Sequence, residues 1–322
     1  MSLNPLSEIP STSSAPPLLV TNSEPQNRLT RWLKDHASQL SDIRRGLFRF
    51  SRNRLSMIGV VIVLLGLLIA ITAPLWVPYP DDVTGSVNMS IRLHPPSADH
   101  LFGTDDAGRD VFSRTIMATR ISFEVGVVIL LVAITVGVFL GAIAGYFGGW
   151  INQVIMRFTD IMLTFPGIFL ALAISAALGR GVLNATLALS VTWWPGYCRL
   201  VEAQMLKMKE EDFVAGARAL GAGNLRIIFR HILPNLLTAI IVKASMDFGF
   251  AVLNLAALGF IGVGVLPPEP DWGSMIAAGR RFIPISWWYS TFPGLFMFIT
   301  VLGFNLLGDG LRDLLDPNAT VR

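Results

Sequence analysis

Apolar residues in this chain come in long stretches broken by short polar ones, and the stretches are of membrane length. Residues 55–77, 123–147, 161–178, 182–198, 236–265 and 287–307 are each predominantly apolar, where a helix crossing a bilayer needs about 20 residues. The pattern predicts an all-α integral membrane protein with six transmembrane helices. In the second stretch Gly137, Gly141, Gly145 and Gly148 recur at short, near-helical spacing, which lets helices approach closely in lipid. The third contains Pro166, and Gly179-Arg180-Gly181 is the turn into the fourth, which closes on TWWPGYC with the aromatic residues favoured at a membrane interface.

The polar interruptions have patterns of their own. Residues 199–235 read as two short helices hinged at Gly221-Ala222-Gly223. Leu206, Phe213, Ala217 and Leu220 fall on one helical face. Gly221 or Gly223 supplies the left-handed residue that ends the first helix, Asn224 caps the second, and Pro234 opens the next apolar run. The stretch is therefore expected to be a folded element and not a tether. In the loop 78–120, FGTDDAGRDVFSR reads as a short helix capped by Thr104 or Asp105, with Asp105–Arg109 and Asp110–Arg114 at ion-pair spacing. Pro267, Pro268 and Pro270 break the chain between the last two spans.

Composition strengthens the membrane reading and charge orients it. Charged residues make up 15 % of the chain, against about 25 % in soluble domains. Between Arg28 and Arg54 basic residues far outnumber acidic ones, and Arg199, Lys207, Lys209, Arg218, Arg226 and Arg230 crowd the 199–235 loop. Both segments therefore belong in the cytoplasm, and the Asp-rich loop 78–120 belongs outside. The expected organisation is a cytoplasmic segment 1–54, disordered over 1–27, a six-helix transmembrane domain 55–310, and a cytoplasmic tail 311–322. Net charge is only +3 and the arginines cluster at loops, which argues for topology signals and against a nucleic-acid-binding face. Cys198 is the single cysteine, so no internal disulfide forms.

The sequence carries little reaction chemistry. None of the four lysines follows a glycine, so no phosphate-cradling loop is present. His-Glu-x-x-His and Gly-x-Ser-x-Gly are also absent. No catalytic, cofactor-binding or metal-binding residue is expected on this chain. The exceptional polar residues are Lys243 and Asp247, four apart inside the fifth apolar stretch. An isolated ion at the bilayer centre costs about 2.5–3.5 kcal/mol on insertion scales, so the two either lock helices together, line a solute path or snorkel toward the surface.

Three longer motifs narrow the field: GTDDAGRDVFSR at 103–114, AALGFIGVGVLPPEPDWGSM at 256–275 and FNLLGDGLRDLLDP at 304–317. With Ala215-Gly216-Ala217, Gly221 and Leu233-Pro234 at the spacing of a permease coupling loop, the chain resembles the second permease subunit of dipeptide, oligopeptide and nickel ABC importers. Ala215-Gly216 replaces the family's Glu-Ala, and His231 stands in place of Ile. The resemblance implies a permease of the bacterial cytoplasmic membrane. It implies pairing with a second, related permease, two cytoplasmic ATPase chains that carry ATP and Mg, and an extracytoplasmic solute-binding protein. It further implies an ATPase-coupling site at Phe213, Ala215, Gly216, Ala217, Leu220, Gly221, Leu233 and Pro234. Lys243 and Asp247 are then candidates for the translocation path. Asp105, Asp106, Arg109, Asp110 and Trp272 are candidates for the side facing the binding protein. Peptide is the expected solute, with nickel or a metal chelate as the alternative within the family. A channel or scaffold without an ATPase is the alternative outside it.

Overall fold

The computed structural model describes Phe48 and residues 50–315, and the expectations for 1–47 and 316–322, disorder over 1–27 included, lie outside the described residues. Helix α1, Arg54–Trp76, is capped by Asn53, whose side chain accepts from the Leu55 and Ser56 amides. Helix α2, Val111–Phe147, begins twelve residues earlier than its apolar stretch. The expected short helix capped by Thr104 or Asp105 does not form, because Asp110 caps α2 itself and accepts from Ser113 N at 2.7 Å.

The third apolar stretch is not one helix. Gly149–Thr164 (α3) and Gly167–Leu178 (α4) meet at 88° across a two-residue break. Pro166 lacks an amide hydrogen and pushes Phe165 out of helical geometry, to φ −86° and ψ 132°. Helix α5, Val182–Met208, runs well past its predicted end at Cys198. Four described helices are long and apolar enough to cross a membrane, and the bent α3–α4 pair makes a fifth if counted as one span. Helix α5 is long enough but less apolar. Its Thr186 and Ser190 are buried on the face turned to the other helices and hydrogen-bond to carbonyls one turn back, while Leu183, Leu187 and Val191 outside that face stay exposed.

After α5 come α6 (Asp212–Ala219), a turn Asn224–Arg226, a π-helical turn Ile227–Ile232, and α7, Leu233–Ile261. Helix α8 (Trp272–Gly279) follows the prolines, and α9, Trp288–Leu315, extends beyond its apolar stretch.

The glycine pattern of α2 is an instrument of packing. A Cβ on Gly137 would stand 2.5 Å from the Tyr197 Cβ, one on Gly141 2.5 Å from the Cys198 carbonyl oxygen, and one on Gly145 2.6 Å from the Met205 Cβ. Helices α2 and α5 thus touch almost backbone to backbone. Gly148 leaves this series: at φ +65° it ends α2. Phe123, Phe248 and Phe304 then join α2, α7 and α9, with Phe248 stacked on Phe304 at 4.0 Å between ring centroids.

Candidate functional site

Three groups of residues carry the chemistry singled out in the sequence. The first is the loop 78–110. Asp105, fully buried, accepts from the amides of Ala107 (2.8 Å) and Arg109 (2.9 Å) and pairs with Arg109 Nε at 2.7 Å. The expected Asp110–Arg114 pair is absent. Asp110, 1 % exposed, accepts from Ser113 and faces His100 Nδ1 at 3.0 Å, because capping α2 aims its carboxylate backward. Arg114 instead approaches Asp105 at 3.6 Å and donates Nη1 to the carbonyls of Asp82 and Pro268. Asp106 is partly exposed and accepts from Tyr289 Oη at 3.1 Å. Trp272 is buried and donates Nε1 to Thr115 O at 3.1 Å. Of the five residues expected to face a binding protein, only Asp106 and Arg109 retain any surface. Asp105, Asp110 and Trp272 shape the loop from within.

Beside Trp272 lies an acid the sequence pattern did not mark. Asp271 is buried, caps α8 by accepting from Ser274 N at 2.8 Å, and leaves Oδ1 without a partner. Burial pushes its carboxyl up to about 6, opposed by hydrogen bonds from Ser274 and Gly273.

The second group is the loop between α5 and α7. Helix α6 ends as expected on Gly221, at φ +82°, with Ala222 N bonded back to Ala217 O at 3.0 Å. Gly223 is extended and is the N-cap of the next turn. The expected capping role of Asn224 is therefore not taken up, and its side chain accepts from Tyr146 Oη at 2.9 Å instead. The apolar face is divided differently from the helical-wheel reading. Val214 is fully buried, and Ala217, one turn on, packs against the same core. Phe213 and Leu220 are exposed, Leu220 at 91 %, with Gly216 between them on the open side. Ala215 is exposed as well, whereas Leu233 and Pro234 open α7, Leu233 against the core. Lys209 fastens the loop's start by donating to Gly145 O at 3.2 Å.

The third group is inside the helices. Lys243 Nζ and Asp247 Oδ2 are 3.0 Å apart, their side chains 33 % and 15 % exposed. Lys243 lies over the Tyr197 ring, 5.0 Å from its centroid, an arrangement that attracts a cation to the ring face. Tyr197 was not marked from the sequence, where it looked like an interfacial aromatic. It is fully buried, and its hydroxyl has no hydrogen-bond partner.

The sequence itself matches known family models. The model of the binding-protein-dependent transport system inner membrane component covers residues 137–321. The chain belongs to that family. The model for the N-terminal TM domain of oligopeptide transport permease C covers residues 38–96. The permease is 45 % identical to the dipeptide transport system permease protein DppC of Alkalihalophilus pseudofirmus, over 88 % of this chain and 92 % of that protein. It is 43 % identical to the probable D,D-dipeptide transport system permease protein DdpC of Escherichia coli, over 82 % of this chain and 88 % of that protein. Identity to the glutathione transport system permease protein GsiD of Pectobacterium atrosepticum is 41 %, over 84 % and 89 %. Among solved structures, an inward-facing form of the MetNI methionine ABC transporter aligns with a TM-score of 0.48 and 20 % identity over 64 % of this chain and 94 % of that one. The chain is thus a multi-pass inner-membrane permease of an ABC importer, with a transport role and not a catalytic one.

Proposed function

We propose that this permease forms half of an import path for small peptides, with its termini and the 209–232 loop in the cytoplasm. A second, related permease would form the other half, two ATPase chains would bind ATP and Mg, and an extracytoplasmic binding protein would deliver the solute to the 78–110 side. The solute class rests on relatives whose names specify dipeptides, D,D-dipeptides and glutathione. These are short chains with free carboxylates.

The observation that carries the coupling role is the build of the 209–232 loop. It is folded and anchored through Val214 and Ala217, through Lys209 to α2 and through Asn224 to Tyr146, yet it presents Phe213 and Leu220 to solvent. An anchored element tied to two long helices transmits a push, and exposed apolar side chains on it suit a groove on an ATPase chain. Lys243 and Asp247 line the path in this reading. Asp106 and Arg109 are the residues of the outer loop left to meet the binding protein.

The test is ATP-driven uptake in proteoliposomes holding the full complex, with labelled di- and tripeptides competed against nickel and metal chelates. Peptide uptake that chelates do not displace is expected. Uptake of chelate alone would replace the peptide reading, and failure of ATPase chains to co-purify in fixed ratio would remove the importer mechanism.

A further inference from the structure

We propose that Lys243, Asp247 and Tyr197 form a transient site for the carboxylate of a passing peptide, in which Lys243 leaves Asp247 for the solute and the Tyr197 hydroxyl takes its place on Asp247. The inference rests on the peptide-import reading and deepens it.

Four observations meet here. The ion pair lies near the middle of α7, where an unpaired charge is costly. Lys243 is the more exposed partner, so it is the one free to reach a solute. Its resting place is soft on one side: Gly196 faces it with no side chain, at 3.7 Å from a would-be Cβ. The Tyr197 hydroxyl is buried and makes no hydrogen bond of ordinary geometry, yet Asp247 is near enough to act on it as a charge and as a loose acceptor, so the two are already poised to bond.

An orphaned hydroxyl in a packed interior is unusual, because most buried polar atoms have partners. Gly137 on α2 lets the Tyr197 backbone approach closely, and the whole residue is fully buried. A donor kept fixed beside a carboxylate that already has a cation is redundant at rest and useful once the cation departs. Without it, a solute carboxylate would gain Lys243 only by leaving the mostly buried Asp247 unpaired. With it, the exchange trades one charge-assisted contact for another.

Tyr197→Phe separates this role from a structural one. It deletes only an unbonded hydroxyl, so the thermal midpoint of the assembled complex should hold or rise. Maximal uptake of a dipeptide in proteoliposomes should nonetheless fall by about tenfold, the scale of a hydrogen bond to a charged group. In an Asp247→Asn background the same change should have no further effect, since no charge is left to compensate. A dipeptide amide offers nothing to draw Lys243 away, so wild type should move it less well than the free dipeptide, and Tyr197→Phe should narrow that gap. Additive effects of Tyr197→Phe and Asp247→Asn, or an unaltered acid-to-amide ratio, would overturn the proposal while leaving peptide import standing. Loss of the second permease from purified Lys243→Gln or Tyr197→Phe complexes would overturn it too, and assign the cluster to a subunit contact. Absence of any peptide uptake by wild type would sink both readings together.

Discussion

The loop 78–110 and the loop 209–232 invert each other. The first buries charge, with Asp105, Asp110 and Arg114 nearly inaccessible, Asp105 paired with Arg109 and near Arg114, Asp110 facing His100, and all three bonded to backbone. The second exposes apolar surface, with Phe213 and Leu220 in solvent while the charged residues around them are merely solvated. Removing water from ions is costly unless they find partners, and the first loop supplies nearly all of them internally, with Arg114 Nε left without a hydrogen bond. Leaving Leu in water forgoes burial worth about 1.5–3 kcal/mol, so the second loop is complete only against something else. Identical counts of charged and apolar residues would not distinguish a structural strut from a docking surface, whereas burial does.

The sharpest way to break that contrast is Asp105→Ala. It strands Arg109 and Arg114 and two amides, and should destabilise the permease by about 3–5 kcal/mol, read as a lowered thermal midpoint in detergent and less assembled protein in membranes. A loss below about 1 kcal/mol would mean the network is ornamental. Next, Ala217→Glu forces a carboxylate against Val214 and should cost on the order of 2–3 kcal/mol locally, seen as faster amide exchange across 212–219. Normal exchange with lost ATPase capture would instead return Ala217 to the docking face.

The titration of Asp271 is expected to have a smaller effect. Its carboxyl is raised from 3.8 to about 6, so the folded loop binds the proton more tightly than the unfolded chain. That stabilisation is full below about pH 4 and is lost as pH rises to 6 and above. Amide protection in α8, corrected for intrinsic rates, should drop by about tenfold between pH 4.5 and 7.5, and Asp271→Asn should flatten the profile. Smallest in stability is Leu220→Asp, within about 0.5 kcal/mol of wild type, although retention of ATPase chains on the purified permease should collapse. If they stay bound, the exposed stripe is not the docking surface.

What the sequence revealed followed from local rules. Gly137, Gly141 and Gly145 announced a close helix contact, Gly221 a helix end, and Lys243–Asp247 a pair at helical spacing, whereas Pro166 was read as lying inside one span and the structure breaks the helix there. What it concealed depended on distant partners. Asp110 satisfies both an ion-pair spacing and a capping position, and only the arrival of His100 and the start of α2 decides between them. Phe213 and Ala217 share a helical face on paper, but the core under α6 approaches from the Val214 side and divides them. Tyr197 sits in an aromatic-rich sequence typical of an interface, and becomes an interior residue because α2 offers a glycine opposite it.

Helix α2 has a mechanical consequence. At 37 residues and 1.5 Å per residue it is about 55 Å long, well beyond a hydrocarbon core of about 30 Å. Its first turn is cemented into the charged loop through Asp110, and Tyr146 in its last turn holds Asn224 beyond α6. No proline interrupts it. One continuous helix without a proline therefore connects the second half of the 209–232 loop to the 78–110 loop.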